Sequence, residues 1–157
     1  MSIIKAREHL RKYGYEDRIY EFSVSSATVA LAAEALGTEE ARIAKSLSFL
    51  TPDGPILVIA AGDVKVDNRK YKDTFGMKAK MIPFEDVESL IGHGVGGVCP
   101  FGVNPGVRVY LDESLRRFDT VYPAAGTAAS AVRLSPQELE RAAEPLGWVD
   151  VTALREG

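Results

Sequence analysis

Two apolar runs, Lys45 to Leu50 and Pro55 to Ala61, flank Thr51-Pro52-Asp53-Gly54. Pro-Asp-Gly is a strong turn signal: proline presets its own φ, aspartate bonds nearby backbone, and glycine tolerates the conformation that closes the turn. A β-hairpin at the middle of the chain is therefore the local structure that most limits the fold.

Helices and short strands are interleaved around it. Ile3 to Tyr13 sets Ile4, His9, Leu10 and Tyr13 among charges, which predicts an amphipathic helix ended by Gly14. Arg18 to Phe22 predicts a strand. Ser25 and Ser26 offer N-caps for an alanine-rich helix from Ala27 to Leu36, stopped by Gly37, and Thr38 to Ala41 starts a second helical turn. Asp67 can cap a helix to about Phe75 that stops at Gly76, before a strand at Lys78 to Ile82 and a helix at Phe84 to Ile91. Further strands are predicted at Val107 to Leu111, Thr120 to Tyr122, Ala131 to Leu134 and Trp148 to Val151. Ser135-Pro136-Gln137-Glu138 opens a helix to about Glu144. The expected fold is α+β, one domain over residues 1–157, with a mixed curved β-sheet flanked by helices.

The chain has 157 residues, 46% of them hydrophobic and 26% charged, which suits a folded protein and argues against disorder. The single cysteine, Cys99, excludes an internal disulfide framework. The N-terminal residues are too charged for a signal peptide, and no apolar run is long enough to cross a membrane. A cytoplasmic protein without membrane or DNA partners is expected. The net charge is −3, yet Lys65 to Lys80 holds Lys65, Arg69, Lys70, Lys72, Lys78 and Lys80 against Asp67 and Asp73. That run reads either as a solvated helix face or as a dock for an anionic partner.

The common catalytic patterns are missing. There are two histidines, His9 and His93, and no Cys/His set with metal spacing, so neither metal nor cofactor is expected. Gly92 to Gly97 is glycine-rich but does not join a strand to a helix, which argues against a dinucleotide site. Two features remain. Lys45 heads a mostly apolar strand, where it is either an edge residue pointing to water or a functional cation. Gly96-Gly97-Val98-Cys99-Pro100-Phe101-Gly102 is either a structural turn cluster or a loop whose amides approach a ligand. Cys99 is either a small buried hydrophobe or a thiol nucleophile.

Four segments then occur in order: Ala44-Lys45-Ser46, Ala60-Ala61-Gly62-Asp63, Gly96 to Gly102, and Ala124-Ala125-Gly126-Thr127 ahead of Leu134-Ser135-Pro136. From about Tyr20 to about Trp148 the chain resembles the YbaK-like family, whose fold is also the editing domain inserted in bacterial prolyl-tRNA synthetases. The resemblance implies a metal-independent, cofactor-free hydrolase that cleaves the ester of a mischarged aminoacyl-tRNA in trans. It implies tRNA, through its aminoacylated 3′ end, as partner, with prolyl-tRNA synthetase or translation factors as protein partners. Lys45 matches the family's essential lysine, and Gly96 through Pro100 its GxxxP loop. The implied catalytic residues are Lys45, Gly96 and Gly97. The implied substrate contacts are Tyr20, Ser46, Asp63, Val98, Cys99, Pro100, Gly126 and Thr127. A tRNA- or nucleotide-binding module of the same fold without turnover is the alternative. His93 stands where some members have tyrosine and Thr127 where many have serine, differences that bear on which amino acid fits.

An aminoacyl ester is already activated, so such a site needs mainly positioning and oxyanion stabilisation. The amides of Gly97 or Val98 are the expected donors.

Overall fold

The computed structural model describes residues 2–23, 25 and 28–155. In chain order it contains α1 (Ser2–Arg11), β1 (Ile19–Glu21), α2 (Val29–Leu36), β2 (Ile43–Thr51), β3 (Gly54–Ala61), β4 (Val64–Val66) and α3 (Asn68–Phe75). Then follow α4 (Val87–Ile91), β5 (Arg108–Asp112), β6 (Tyr122–Pro123), β7 (Ser130–Val132), α5 (Pro136–Ala143), β8 (Gly147–Val149) and β9 (Thr152–Leu154).

β2 and β3 form the predicted hairpin, closed by the Thr51–Gly54 pair. The Thr51 hydroxyl secures the turn, accepting from the Asp53 amide at 3.2 Å and donating to the Gly54 carbonyl at 2.7 Å. The hairpin seeds a five-stranded mixed sheet of order β6-β2-β3-β5-β8, in which only β2 and β3 are antiparallel. β1 pairs with β7 and β4 with β9 in two separate antiparallel ladders. The architecture is α+β, with a curled mixed sheet and flanking helices.

β3 is the central strand and Ile56 to Ala61 is fully buried, because both of its faces are covered. Leu57, Ile59 and Ala61 join the larger core with Leu111, Leu139 and Phe101. Ile56 and Val58 face the smaller one with Phe49, Tyr71 and Val151. Period-2 alternation puts Ser46 and Ser48, paired with Ile59 and Leu57, on the first face, and Lys45 and Phe49, paired with Ala60 and Ile56, on the second.

Several local expectations hold. Asp67 caps α3 by accepting from the Arg69 and Lys70 amides, and Gly76 ends the helix at φ +76°. Ser135 and Glu138 form a reciprocal capping box on α5.

Others are corrected. α2 is capped by Thr28, whose hydroxyl accepts from the Leu31 amide at 3.1 Å. Ser25 instead donates to the Ala128 carbonyl, while Ser26 and Ala27 lie outside the described residues. Lys78 to Ile82 is not a strand but a single bridge, Met81 to Phe49, and the chain leaves the extended conformation at once, Pro83 opening the 3-10 turn Phe84–Asp86. The expected last strand, Trp148 to Val151, stops at Val149 of β8, and β9 follows separately at Thr152–Leu154. Buried Asp112 accepts from the Val151 amide at 2.9 Å and the Thr152 hydroxyl at 2.7 Å, and β9 turns away to pair with β4.

Candidate active site at the open edge of β2

The outer edge of β2 is covered at its two ends and bare between them. Ile43 and Ala44 pair with Tyr122 and Pro123 of β6. Further along, the Leu50 amide donates to the Lys80 carbonyl at 2.8 Å, and the Ile82 amide to the Ser48 carbonyl at 3.1 Å. Because backbone groups alternate in direction along a strand, the N–H and C=O of Ser46 face the same edge as those of Ser48 and Leu50.

A cleft of about 360 Å³ opens at this gap. Ala44, Lys45, Ser46 and Ser48 of β2 line it together with Thr28, Val29 and Ala32 of the α2 region, Met81, Ile82, Phe84 and Val87, Val95, Gly96 and Val98 of the glycine loop, and Tyr122, Ala124, Ser130 and Ala131. The walls are mainly apolar. Inside them the Ser46 hydroxyl is buried and has no hydrogen-bond partner among the described residues, a costly state for a polar atom that a ligand would relieve.

The two irregular loops of the sequence meet beside this cleft. A Cβ on Gly97 would stand 2.6 Å from the carbonyl carbon and oxygen of Gly126 and from the Thr127 Cα, so the segments pack backbone to backbone. Gly96 holds φ +92°, in the region that favours glycine. The Gly97 amide donates to the Gly94 carbonyl at 3.0 Å, and its neighbours Gly96 and Val98 line the cleft. Ser130 ties the second loop from within, its hydroxyl accepting from the Ala125 and Thr127 amides at 3.2 Å each and donating to the Thr127 carbonyl.

Lys45 contributes to the cleft wall, and its ammonium donates to the Val64 carbonyl. Burial pushes its pKa below the usual lysine range; Arg155 adds repulsion and Asp63 opposes both. Asp63 is itself clasped by the Arg117 guanidinium at 2.6 and 3.0 Å, which holds its carboxyl below the usual range. Asp63 thus supports the β3–β4 corner that presents the Val64 carbonyl.

Cys99 is fully buried, and desolvation pushes its thiol up to about 12. Its neighbour His93 sits with Nε2 2.6 Å from the Phe101 carbonyl and 3.6 Å from the thiol sulfur. A nitrogen facing a carbonyl at that distance must carry the proton, so Nε2 cannot accept one from the thiol. Burial also holds His93 below the ordinary histidine range. The thiol-nucleophile alternative thus has neither an accessible sulfur nor a base.

The structure brings Lys45, Ser46, Gly96 and Val98 into one cleft. Gly97, Cys99, Pro100 and Gly126 are buried behind it as the packing that shapes the loops. Tyr20, 42% exposed, lies outside the wall but is paired across β1–β7 with Ala131, which lines the cleft. Sequence reasoning missed Phe84, Met81 and Val95, large apolar residues 74%, 58% and 48% exposed around the cleft. Exposed apolar side chains in a cluster mark binding surfaces, a property that no linear pattern displays. Among the described residues no three His, Cys, Asp or Glu side chains group as metal ligands, and no helix is long and apolar enough to cross a membrane.

The chain is 48% identical over 152 residues to "Uncharacterized protein YwhH" of Bacillus subtilis (strain 168), covering 96% of this chain and 97% of that protein. It is 26% identical over 130 residues to "Putative Cys-tRNA(Pro)/Cys-tRNA(Cys) deacylase EbsC" of Enterococcus faecalis (strain ATCC 700802 / V583), covering 82% and 79%. Among solved structures, that of "a putative trans-editing enzyme for prolyl tRNA synthetase" superposes with a TM-score of 0.86 at 31% identity, covering 99% of this chain and 98% of that one. Residues 24–142 match the aminoacyl-tRNA editing domain over most of the chain. By sequence and by fold, then, this chain belongs to the aminoacyl-tRNA editing domain family.

Proposed function

We propose that this protein hydrolyses the ester bond of a mischarged aminoacyl-tRNA in trans, in the cytoplasm where aminoacyl-tRNA is made. The observation that carries this reading is the Ser46 hydroxyl, buried and unpartnered among the described residues, in an apolar cleft at an open strand edge. The aminoacyl side chain lies against the apolar wall of Val29, Ala32 and Phe84, and the ester sits between Ser46 and the glycine loop. Water attacks the carbonyl carbon, the acyl–oxygen bond to the terminal ribose breaks, and the proton that the water loses is matched by one taken up at the departing ribose oxygen. The amides of Gly96 and Val98 take up the developing oxyanion, each good donor contributing about 3–4 kcal/mol in comparable sites. The Lys45 ammonium exchanges the Val64 carbonyl for an acceptor at the terminal adenosine, acting as a compact point charge.

An apolar pocket separates substrates differing by one methylene by only about 1–3 kcal/mol, so cleft size selects a group of small side chains and not one amino acid. EbsC is named for tRNA(Pro) and tRNA(Cys), and the superposed structure for prolyl-tRNA synthetase. Mischarged tRNA(Pro) is therefore the first substrate to try, with prolyl-tRNA synthetase as the partner that releases it. The deciding experiment incubates the protein with a panel of mischarged tRNAs and follows loss of the labelled amino acid. Binding without turnover on every member would instead make this a non-catalytic tRNA-binding module.

A further inference from the structure

Among the described residues eight of the nineteen lysines and arginines stand in ion pairs. Arg7, Arg11, Arg18, Arg42, Arg116 and Arg117 each lie within 3.3 Å of a carboxylate. The stretch from Lys65 to Lys80 is different. Only Lys70 is engaged, by Asp150 at 3.0 Å and the Thr152 carbonyl at 2.8 Å. Lys65, Arg69, Lys72, Lys78 and Lys80 are exposed, and their side chains make no hydrogen bond or ion pair among the described residues.

All five stand on segments packed against the smaller core, beside Val66, Tyr71, Phe75, Met77 and Ala79. Tyr71 and Phe75 anchor α3 on the smaller core, and Arg69 and Lys72, three apart, are neighbours on the helix surface. Met77 and Ala79 continue into the same core, so alternation leaves Lys78 and Lys80 outside. The next residue, Met81, is exposed and lines the cleft. Of the acids within the stretch, Asp67 is committed to capping α3 and Asp73 is exposed. Beyond the cleft rim, exposed Glu85 and Asp86 reverse the sign of the surface.

We infer that this strip is the dock for the sugar-phosphate backbone of the tRNA acceptor stem, whose 3′ end would then enter the cleft beside Met81. The inference rests on the proposed deacylase reading for the identity of the anion. Unpaired lysine and arginine gain counterion-release free energy from a polyanion, whereas cations already in ion pairs gain little. The acids beyond the rim prevent the backbone from running past the cleft, which gives the strip a direction. The structure also alters which residues matter: Lys70 belongs to the fold, and the available cations are Lys72, Lys78 and their exposed neighbours.

The test measures binding of uncharged tRNA to Lys72→Ala/Lys78→Ala by fluorescence anisotropy across a salt series, so it does not depend on turnover. Affinity should fall about tenfold at low salt, and the slope of log Kd on log salt should shrink by roughly 1.4–1.8 for two lost phosphate contacts. Lys72→Arg/Lys78→Arg should keep the parent slope. An aminoacyl-adenosine ester, which has no phosphates, should be hydrolysed equally by the parent and the alanine variant. Unchanged affinity and slope in the alanine variant would overturn the inference, and so would an equal loss on the aminoacyl-adenosine. A parent protein that binds tRNA with the predicted slope yet hydrolyses no ester would defeat the proposed function while supporting this surface.

Discussion

Gly97 lies backbone to backbone against Gly126, so close that a methyl group on Gly97 would stand 2.6 Å from the Gly126 carbonyl. Two loops separated by nearly thirty residues of sequence thereby share one wall beside the cleft.

Gly97→Ala should therefore separate the loops. Gly97 is not among the residues with positive φ, so the requirement is space alone. The expected result is a destabilisation of about 1–3 kcal/mol, the usual range for overpacking, with a marked loss of deacylation. Denaturant unfolding and turnover measured on one preparation would check both, and unchanged values in both would mean that the contact is dispensable.

Ser46→Ala should separate activity from stability. The hydroxyl is buried without a partner among the described residues, so its removal should leave stability unchanged or raise it by up to about 1 kcal/mol. Turnover should fall tenfold or more if the hydroxyl contacts the ester, a loss of about 1.4 kcal/mol in transition-state binding. A variant of full activity would take Ser46 out of the site.

Lys45→Ala should abolish deacylation with the fold retained, since circular dichroism and melting need show little change for one lysine at the sheet edge. The pH dependence has a definite sign. The ammonium is the working form, and burial lowers the pKa at which it is lost. Enzymatic rate, corrected for hydroxide hydrolysis, should thus decline as pH rises through a value below that of an ordinary lysine. Lys45→Arg should also be impaired, and should remove this decline across the same window. A rate that stays flat through that window in the parent protein would mean that catalysis does not depend on the ammonium form.

Cys99→Ser should keep most of the activity, because the sulfur is buried and its thiol is raised to about 12. Alkylation by iodoacetamide at neutral pH should be slow in the folded protein and fast after denaturation. Rapid inactivation by the reagent under native conditions would revive the thiol mechanism.

The amino-acid sequence by itself determined the elements whose causes are local. The Pro52-Asp53-Gly54 turn, the Asp67 cap with its Gly76 stop, and the Ser135–Glu138 capping box all lie within a few residues, and each formed where its chemistry predicted. The order of Lys45, the glycine loop and the late Ala-Gly-Thr segment was legible too, as a resemblance between linear motifs. Tertiary structure alone decided what those motifs do to one another. The bare edge at Ser46 exists because β6 and the Lys80–Ile82 segment each cover part of β2, two partners that no local pattern foretells. Asp112 captured groups some forty residues away, just past the end of β8. Gly97 is held by its contact with Gly126, and Phe84 and Met81 became cleft wall because no other described residue covers them. Turns and caps are satisfied by their neighbours along the chain, whereas a cleft is defined by surfaces left unpaired after every long-range contact has formed.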